Sequence, residues 1–266
     1  MKALILAAGL GTRLGPLTHD RPKCLVELNG VSLLDRQLAT LRESGVTDIT
    51  VIGGHRIKRI ESAGVPTVIN TEYASSNMVY TLFCASHLID GGSDIIISYG
   101  DIVYETRVLN ALLGCDSPVC VSIDTEWRRY WELRMDDPLA DAETLKLDAS
   151  GKVLELGKKP RDYGEIQGQY IGLIKVRSDY AAGLVDTYNN LDPESVYDGV
   201  TPKQMYMTSF LQHLIDLGWR VQSVPVANGW LEVDTLQDLE LYSRLQAEGT
   251  LDQLYHLGNR VTRPSA

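Results

Sequence analysis

Three glycines, an arginine and a lysine crowd the start of the chain: Gly9, Gly11 and Gly15 follow the apolar run Ala3–Ala8, Arg13 sits among them, and Pro22-Lys23 comes close behind. These residue types in this order make a polyphosphate cradle. Glycines let backbone N–H groups approach phosphate oxygens with no side chain in the way, and Arg13 and Lys23 supply fixed positive charge. Two familiar phosphate loops do not fit. Leu14 stands where G-x-G-x-x-G needs its third glycine, and no Lys-Ser/Thr pair closes a GxxxxGK loop.

Carboxylates form the second group. Tyr99-Gly100-Asp101 closes an apolar run, and Asp234 ends Trp230-Leu231-Glu232-Val233-Asp234 just before a helical pattern. Acids at strand ends can share a hard divalent cation with phosphate oxygens. Each also has a structural alternative: Asp101 as a turn residue, and Asp234 as a helix cap paired with Gln237. His19, His55, His87, His213 and His256 are scattered, with neither metal-ligand spacing nor a nucleophile motif.

The elements that must hold these groups alternate. Ala3–Ala8, 49–52, 67–70, 94–98 and 119–123 read as strands, and 32–43, 78–89 and 106–113 as helices between them, with Gly45 as a stop. That rhythm predicts a mostly parallel sheet with ligands at the carboxyl ends of its strands. After Ile123 the rhythm changes. Residues 127–134 and 136–138 are polar and aromatic, and 144–147, 153–156 and 170–176 are expected as antiparallel additions. Helices at 179–189, 202–217 and 236–247 and a strand at 221–226 complete the pattern. The expectation is one domain over 1–258 with an inserted acceptor-binding portion, and a frayed tail at 259–266.

LAAGLGTRL followed by RPKCLVELNG resembles the signature of nucleotidyltransferases that join a nucleoside triphosphate to a phosphorylated small molecule and release pyrophosphate. The resemblance implies a Rossmann-like α/β nucleotidyltransferase fold. It also implies a Mg²⁺ ion on Asp101 and Asp234, and catalytic charge from Arg13 and Lys23. Nucleotide contacts are implied for Leu6, Ala8, Gly9, Gly11, Thr12, Arg13, Lys23, Asn70, Asn77 and Gly100. Asn70-Thr-Glu-Tyr73 with Ser76-Asn-Met-Val-Tyr-Thr-Leu82 is similar to the choline-phosphate and phosphonate cytidylyltransferase branch. Residues 136–147, 166–172 and 206–208 are most similar to 2-aminoethylphosphonate cytidylyltransferases, and the likeness covers nearly the whole chain.

The implied reaction is attack by a phosphate or phosphonate oxygen of the acceptor on the α-phosphorus of CTP. Such an oxyanion is largely ionised near neutrality, its second pKa being about 6, so no general base is required. For the anionic end of the acceptor, Thr81, Arg128, Arg129 and Arg134 are candidates, and the resemblance adds Lys159. For a cationic amine, Glu232, Asp234, Trp131, Tyr170 and Trp230 are candidates. A quaternary ammonium would call for an aromatic box, a primary ammonium for hydrogen-bond acceptors. Carboxylates beside Trp230 favour the primary amine, hence 2-aminoethylphosphonate, ahead of phosphocholine, a hydroxyalkylphosphonate or a sugar 1-phosphate. A non-catalytic nucleotide sensor would have little need of the second acid, and a glycosyltransferase would usually carry an Asp-x-Asp motif, absent from this chain.

Composition narrows the setting. The net charge of −10 lacks the basic stripe that tracking a nucleic acid requires. No run approaches the roughly 18 apolar residues of a membrane span. Cys24, Cys84, Cys115 and Cys120 have no CxxC spacing, so neither a zinc cage nor a disulfide framework is expected, and a reducing cytoplasm is the expected location. Oligomeric state is left open.

Overall fold

The computed structural model describes residues 1–257; the expected tail at 259–266 lies outside them. Strands run in chain order as β1 (Lys2–Ala7), β2 (Glu27–Leu28), β3 (Val31–Ser32), β4 (Asp48–Gly53), β5 (Thr67–Ile69), β6 (Ile95–Tyr99), β7 (Ile102–Tyr104), β8 (Val119–Asp124), β9 (Leu145–Leu147), β10 (Val153–Leu156), β11 (Gln169–Val176), β12 (Val221–Val226) and β13 (Trp230–Glu232). Seven of them form the main sheet in the order β12-β8-β11-β6-β1-β4-β5. All neighbours are parallel except β11, which runs antiparallel to both β6 and β8. The mixed α/β architecture expected from the alternation is therefore observed.

Alternation along β1 puts Ala3, Ile5 and Ala7 on one face, packed with helices Leu33–Glu43, Thr106–Leu113 and Leu236–Ala247. Leu4 and Leu6 point to the other face, against Met78–Phe83, Ser178–Asn189 and Met207–Asp216. With both faces covered, the strands are mostly apolar, and the polar residues they carry, such as Ser98 and Lys175, are buried with hydrogen-bond partners. The carboxyl ends of β1 and β6 lie side by side, with Leu6 opposite Tyr99, and the chain following each strand opens onto the same edge.

Several expectations are corrected. The helix expected over 78–89 ends at Phe83 and is followed by a separate 3₁₀ turn at Ser86–Leu88. The buried Thr81 hydroxyl donates back to Asn77 O at 3.1 Å, a bond that bends short helices. The helix expected over 202–217 splits into a 3₁₀ turn, Pro202–Gln204, and a helix from Met207, because Asn77 takes up the carbonyls of Lys203 and Gln204. Residues Trp127–Arg134, assigned no element from sequence, form a helix. Cys115 and Cys120 form a disulfide, contrary to the expectation of none; Cys24 and Cys84 are free thiols.

Two short strands missed in the sequence matter most. β7 pairs antiparallel with β13, Ile102 opposite Glu232, and Val233 N–H donates to Asp101 O at 2.9 Å. This ribbon joins segments about 130 residues apart in the numbering and sets Asp101 beside Asp234.

Candidate active site

The turn after β1 bends away from the sheet at Gly11, whose φ of 64° places it in the left-handed region, and Thr18 Oγ1 locks the turn by donating to Gly11 O at 2.9 Å. Gly9 faces open space: a Cβ built there meets nothing within 4 Å. Its missing side chain leaves room for a ligand instead of serving internal packing. Gly100 is the opposite case, since a Cβ there would lie 2.7 Å from Leu6 O. The backbone carrying Asp101 is thus pressed directly against the end of β1.

The charged residues converge. Lys23 Nζ donates to Asp101 Oδ2 at 2.8 Å and to Asp234 Oδ1 at 2.6 Å, and Arg13 pairs with the other oxygen of Asp234. Burial alone would depress the Lys23 ammonium, but Asp101 and Asp234 overrule it and raise its pKa. Asp101 Oδ1 is buried and makes no hydrogen bond among the described residues. The helix cap is made by Thr235 with Asp238, not by Asp234 with Gln237, which leaves the Asp234 carboxylate facing the cations. Two hard carboxylates, one with an unpartnered buried oxygen, suit a divalent cation that takes its remaining ligands from phosphates and water. No cluster of three or more protein side chains able to ligate a metal occurs among the described residues.

The cleft is lined by Leu6, Ala8, Gly9, Gly11, Thr12, Arg13, Lys23, Asn77, Thr81, Gly100, Asp101 and Asp234, all of them sequence candidates. It is also lined by Ala7, Cys24, Tyr73, Ser76, Met78 and Tyr99, which were not singled out. Tyr73, Ser76, Met78 and Tyr99 fall inside motifs already noted, so adjacency to Asn70, Asn77 and Asp101 was the available signal. Asn70 is not a lining residue. It is fully buried, and its amide donates to Ser76 Oγ at 3.0 Å and Thr81 Oγ1 at 2.9 Å, fixing the wall instead of forming it.

Most acceptor candidates lie elsewhere. Arg134 is buried against Glu232 (2.8 Å) and Asp238 (2.8 Å), with its guanidinium 5.2 Å from the centre of the Tyr130 ring. Trp230 spends its indole N–H on Asp124 and Trp131 its own on Asp141. Arg128 pairs with Glu132 and covers Tyr163, Arg129 reaches Gln253, and Lys159 Nζ donates to Leu139 O and Ala140 O. None of these six, nor Glu232, lines the cleft. Charge and aromaticity were read correctly in residue type, but they are consumed in packing the helix Trp127–Arg134 that the sequence did not reveal. Tyr170 is nearer, edge-on to Tyr99 with ring centres 5.8 Å apart.

A sheet-edge glycine turn with two cations facing two acids defines a nucleotide-dependent transferase site. The chain belongs to the family of MobA-like NTP transferase domains, whose pattern matches residues 3–154. It is an enzyme, a nucleotidyltransferase of the sugar-phosphate nucleotidyltransferase-like superfamily. CTP:phosphoglutamine cytidylyltransferase of Campylobacter jejuni is 38% identical over 250 residues, covering 91% of this chain and 98% of the relative. The 2-aminoethylphosphonate cytidylyltransferase of Lancefieldella rimae is 27% identical over 165 residues, 60% of this chain and 62% of its own. The fold matches the solved CTP:phosphocholine cytidylyltransferase of Streptococcus pneumoniae with a TM-score of 0.69 at 22% identity, covering 93% of this chain and 98% of that one.

Proposed function

We propose that this enzyme transfers CMP from CTP to a small acceptor carrying a phosphoryl or phosphonyl group and a primary ammonium, phosphoglutamine being the leading candidate. The observation that carries the transfer reading is the meeting of Arg13 and Lys23 with Asp101 and Asp234 at the glycine turn. Likeness along almost the whole Campylobacter relative supports phosphoglutamine. The segment likeness to a 2-aminoethylphosphonate enzyme supports that phosphonate as a second reading.

In this mechanism the backbone around Gly9 and Gly11 cradles the triphosphate while Arg13 and Lys23 neutralise its charge. The acceptor's anionic oxygen attacks the α-phosphorus in line. One O–P bond forms, the α–β bridging P–O bond breaks, and pyrophosphate leaves with the electron pair. Asp101 and Asp234 would hold Mg²⁺ against the phosphates, where the ion supplies charge neutralisation and alignment. Catalysis is then positioning and electrostatics, with no proton to be removed from the nucleophile.

The test is pyrophosphate release with Mg²⁺ and each nucleoside triphosphate in turn, against phosphoglutamine, 2-aminoethylphosphonate, phosphocholine and glucose 1-phosphate. Release with CTP and an aminated acceptor is expected. Release only with another nucleotide or only with the sugar phosphate would overturn the reading.

A further inference from the structure

One residue grips both ends of a turn that lines the cleft. Tyr73, Ser76 and Asn77 face the cleft from the turn that leads into the helix Met78–Phe83. Lys203, in the 3₁₀ turn Pro202–Gln204, accepts a hydrogen bond on its carbonyl from Asn77 N–H at 3.0 Å, and its ammonium pairs with the Glu72 carboxylate. Tyr80 closes the contact: its hydroxyl donates to Glu72 Oε1 at 2.5 Å, and Lys203 Nζ lies 5.7 Å from the centre of its ring. Gln204 O takes a further bond from the Asn77 amide at 3.3 Å. Neither Glu72 nor Lys203 lines the cleft, so each acts on a ligand there only through the turn between them.

The turn needs such a hold. Its inner side is tied by Asn70, which accepts from Glu72 N–H at 2.9 Å and donates to Ser76 Oγ at 3.0 Å. The helix that follows has six residues, too few to stand on its own. Lys203 supplies the outer side from 131 positions further along the chain. The ion pair is exposed, with 39% of the Lys203 side chain and 45% of the Glu72 side chain open to water, and pairs of that kind add little to folding. Lys203 first, then Tyr80, hold the Glu72 carboxyl below the usual carboxylate range, so the contact is charged through neutrality. An exposed pair placed across a turn acts chiefly on where the turn sits.

The side of the cleft follows from the sheet. Asn70 N–H donates to Gly53 O at 2.8 Å, which stands the turn over the end of β4, whereas Asp101 follows β6. β4 and β6 flank β1 on opposite sides. Under the transfer reading the triphosphate lies at Arg13, Lys23 and the two acids, and the nucleoside half reaches the turn, where Tyr73 offers an aromatic face to a base.

We propose that Lys203, clamped to Glu72, is a positioning residue for the nucleotide: it sets Tyr73, Ser76 and Asn77 against the nucleoside half of CTP, an inference that rests on the transfer reading above. It takes no part in the bond changes at phosphorus.

Lys203→Ala removes the side-chain grip and leaves the carbonyl in place. Wild type, Lys203→Ala, Glu72→Ala, the double variant and Lys203→Arg are compared by calorimetric CTP binding with Mg²⁺ and by pyrophosphate release with phosphoglutamine and with 2-aminoethylphosphonate. Each alanine variant is expected to weaken CTP binding and raise KM for CTP by about 3- to 10-fold, with kcat and the acceptor KM within about twofold. The double variant is expected to match the worse single one, since both remove one contact, and Lys203→Arg, which keeps the charge, to stay near wild type. Melting temperatures should move by less than about 3 °C. Unchanged CTP binding in both alanine variants overturns the proposal, as does a rise confined to the acceptor KM. Equal losses for both substrates with a lowered melting temperature make the pair structural and overturn it too. Tyr80→Phe, which removes only the hydroxyl on Glu72, supplies the comparison where an alanine variant does not fold, with a smaller rise expected. A wild type that binds CTP but is silent with every acceptor fails the transfer reading alone, and the calorimetric comparison still decides the role of Lys203. A wild type that does not bind CTP overturns both.

Discussion

Two clusters that pair cations with acids differ in where they face. At the glycine turn, Lys23 and Arg13 pair with Asp101 and Asp234, and all four line the cleft. Off the cleft, Arg134 is buried between Glu232 and Asp238. Under the transfer reading, the first arrangement keeps in register the charges that phosphate oxygens and a divalent cation would meet. The second closes on itself and holds one helix against another. Like residue types thus serve binding or packing according to whether their pairs open onto the cleft.

The comparison breaks most decisively at the cluster that lines the cleft. Lys23→Ala is expected to lower kcat by about 10³-fold or more, because under the transfer reading one group both neutralises phosphate charge and holds the two acids. The Asp101→Ala, Asp234→Ala double variant is expected to be equally inactive while folded, as judged by circular dichroism. A folded double variant with ordinary turnover would show that the acids do not serve the reaction. The pH profile sharpens this. Since the Lys23 ammonium is raised, its pairing is intact through neutrality and is lost only as pH climbs past the ordinary lysine value of about 10.4. No acidic or neutral limb in kcat should trace to Lys23.

Arg134 and Arg128 test whether cations off the cleft take part in its chemistry. Arg134→Ala strands Glu232 and Asp238 in the interior and is expected to cost about 3–5 kcal/mol in denaturant unfolding. Arg128→Ala, removing an exposed pair, should change stability by less than about 1 kcal/mol and leave kcat/KM within twofold. A large rise in KM for the acceptor in Arg128→Ala would return that residue to the site. Gly100→Ala sits between these in size. Its Cβ would press on Leu6 O and Ala7, so a loss of about 1–3 kcal/mol is expected, together with lowered kcat as Asp101 shifts.

The two clusters also differ in how much of them the sequence discloses. The turn with Gly9, Gly11, Arg13 and Lys23 is contiguous, and its spacing alone implies phosphate chemistry. Asp101 was legible because it terminates an apolar strand. The parallel core was equally plain, since both of its faces are buried and its strands read as predominantly apolar runs. The Arg134 cluster is assembled from residues 134, 232 and 238, which meet only because the helix Trp127–Arg134 packs beside β13 and the helix Leu236–Ala247. No local pattern marks such a meeting. Trp127–Arg134 misled for a related reason: arginines and tryptophans attract a binding interpretation, yet the helix buries Trp127, Tyr130 and Trp131 and turns Arg134 inward as a structural ion. Two- and three-residue strands such as β7 and β13 are too short for periodicity to register, though they join the two acids.

Glu143 gives the last prediction. Burial raises this group to about 7, so between about pH 4.5 and 7 the folded protein holds a proton that the unfolded chain has released. Stability therefore falls as pH rises through that window, and the cost is complete above it. Glu143→Gln has no charge to desolvate. At pH 8 the variant should be more stable than wild type by about 1–3 kcal/mol, and the gap should close near pH 4.5. Chemical denaturation at the two pH values measures it. A loss of equal size at both pH values would show instead that the side chain serves packing whatever its charge.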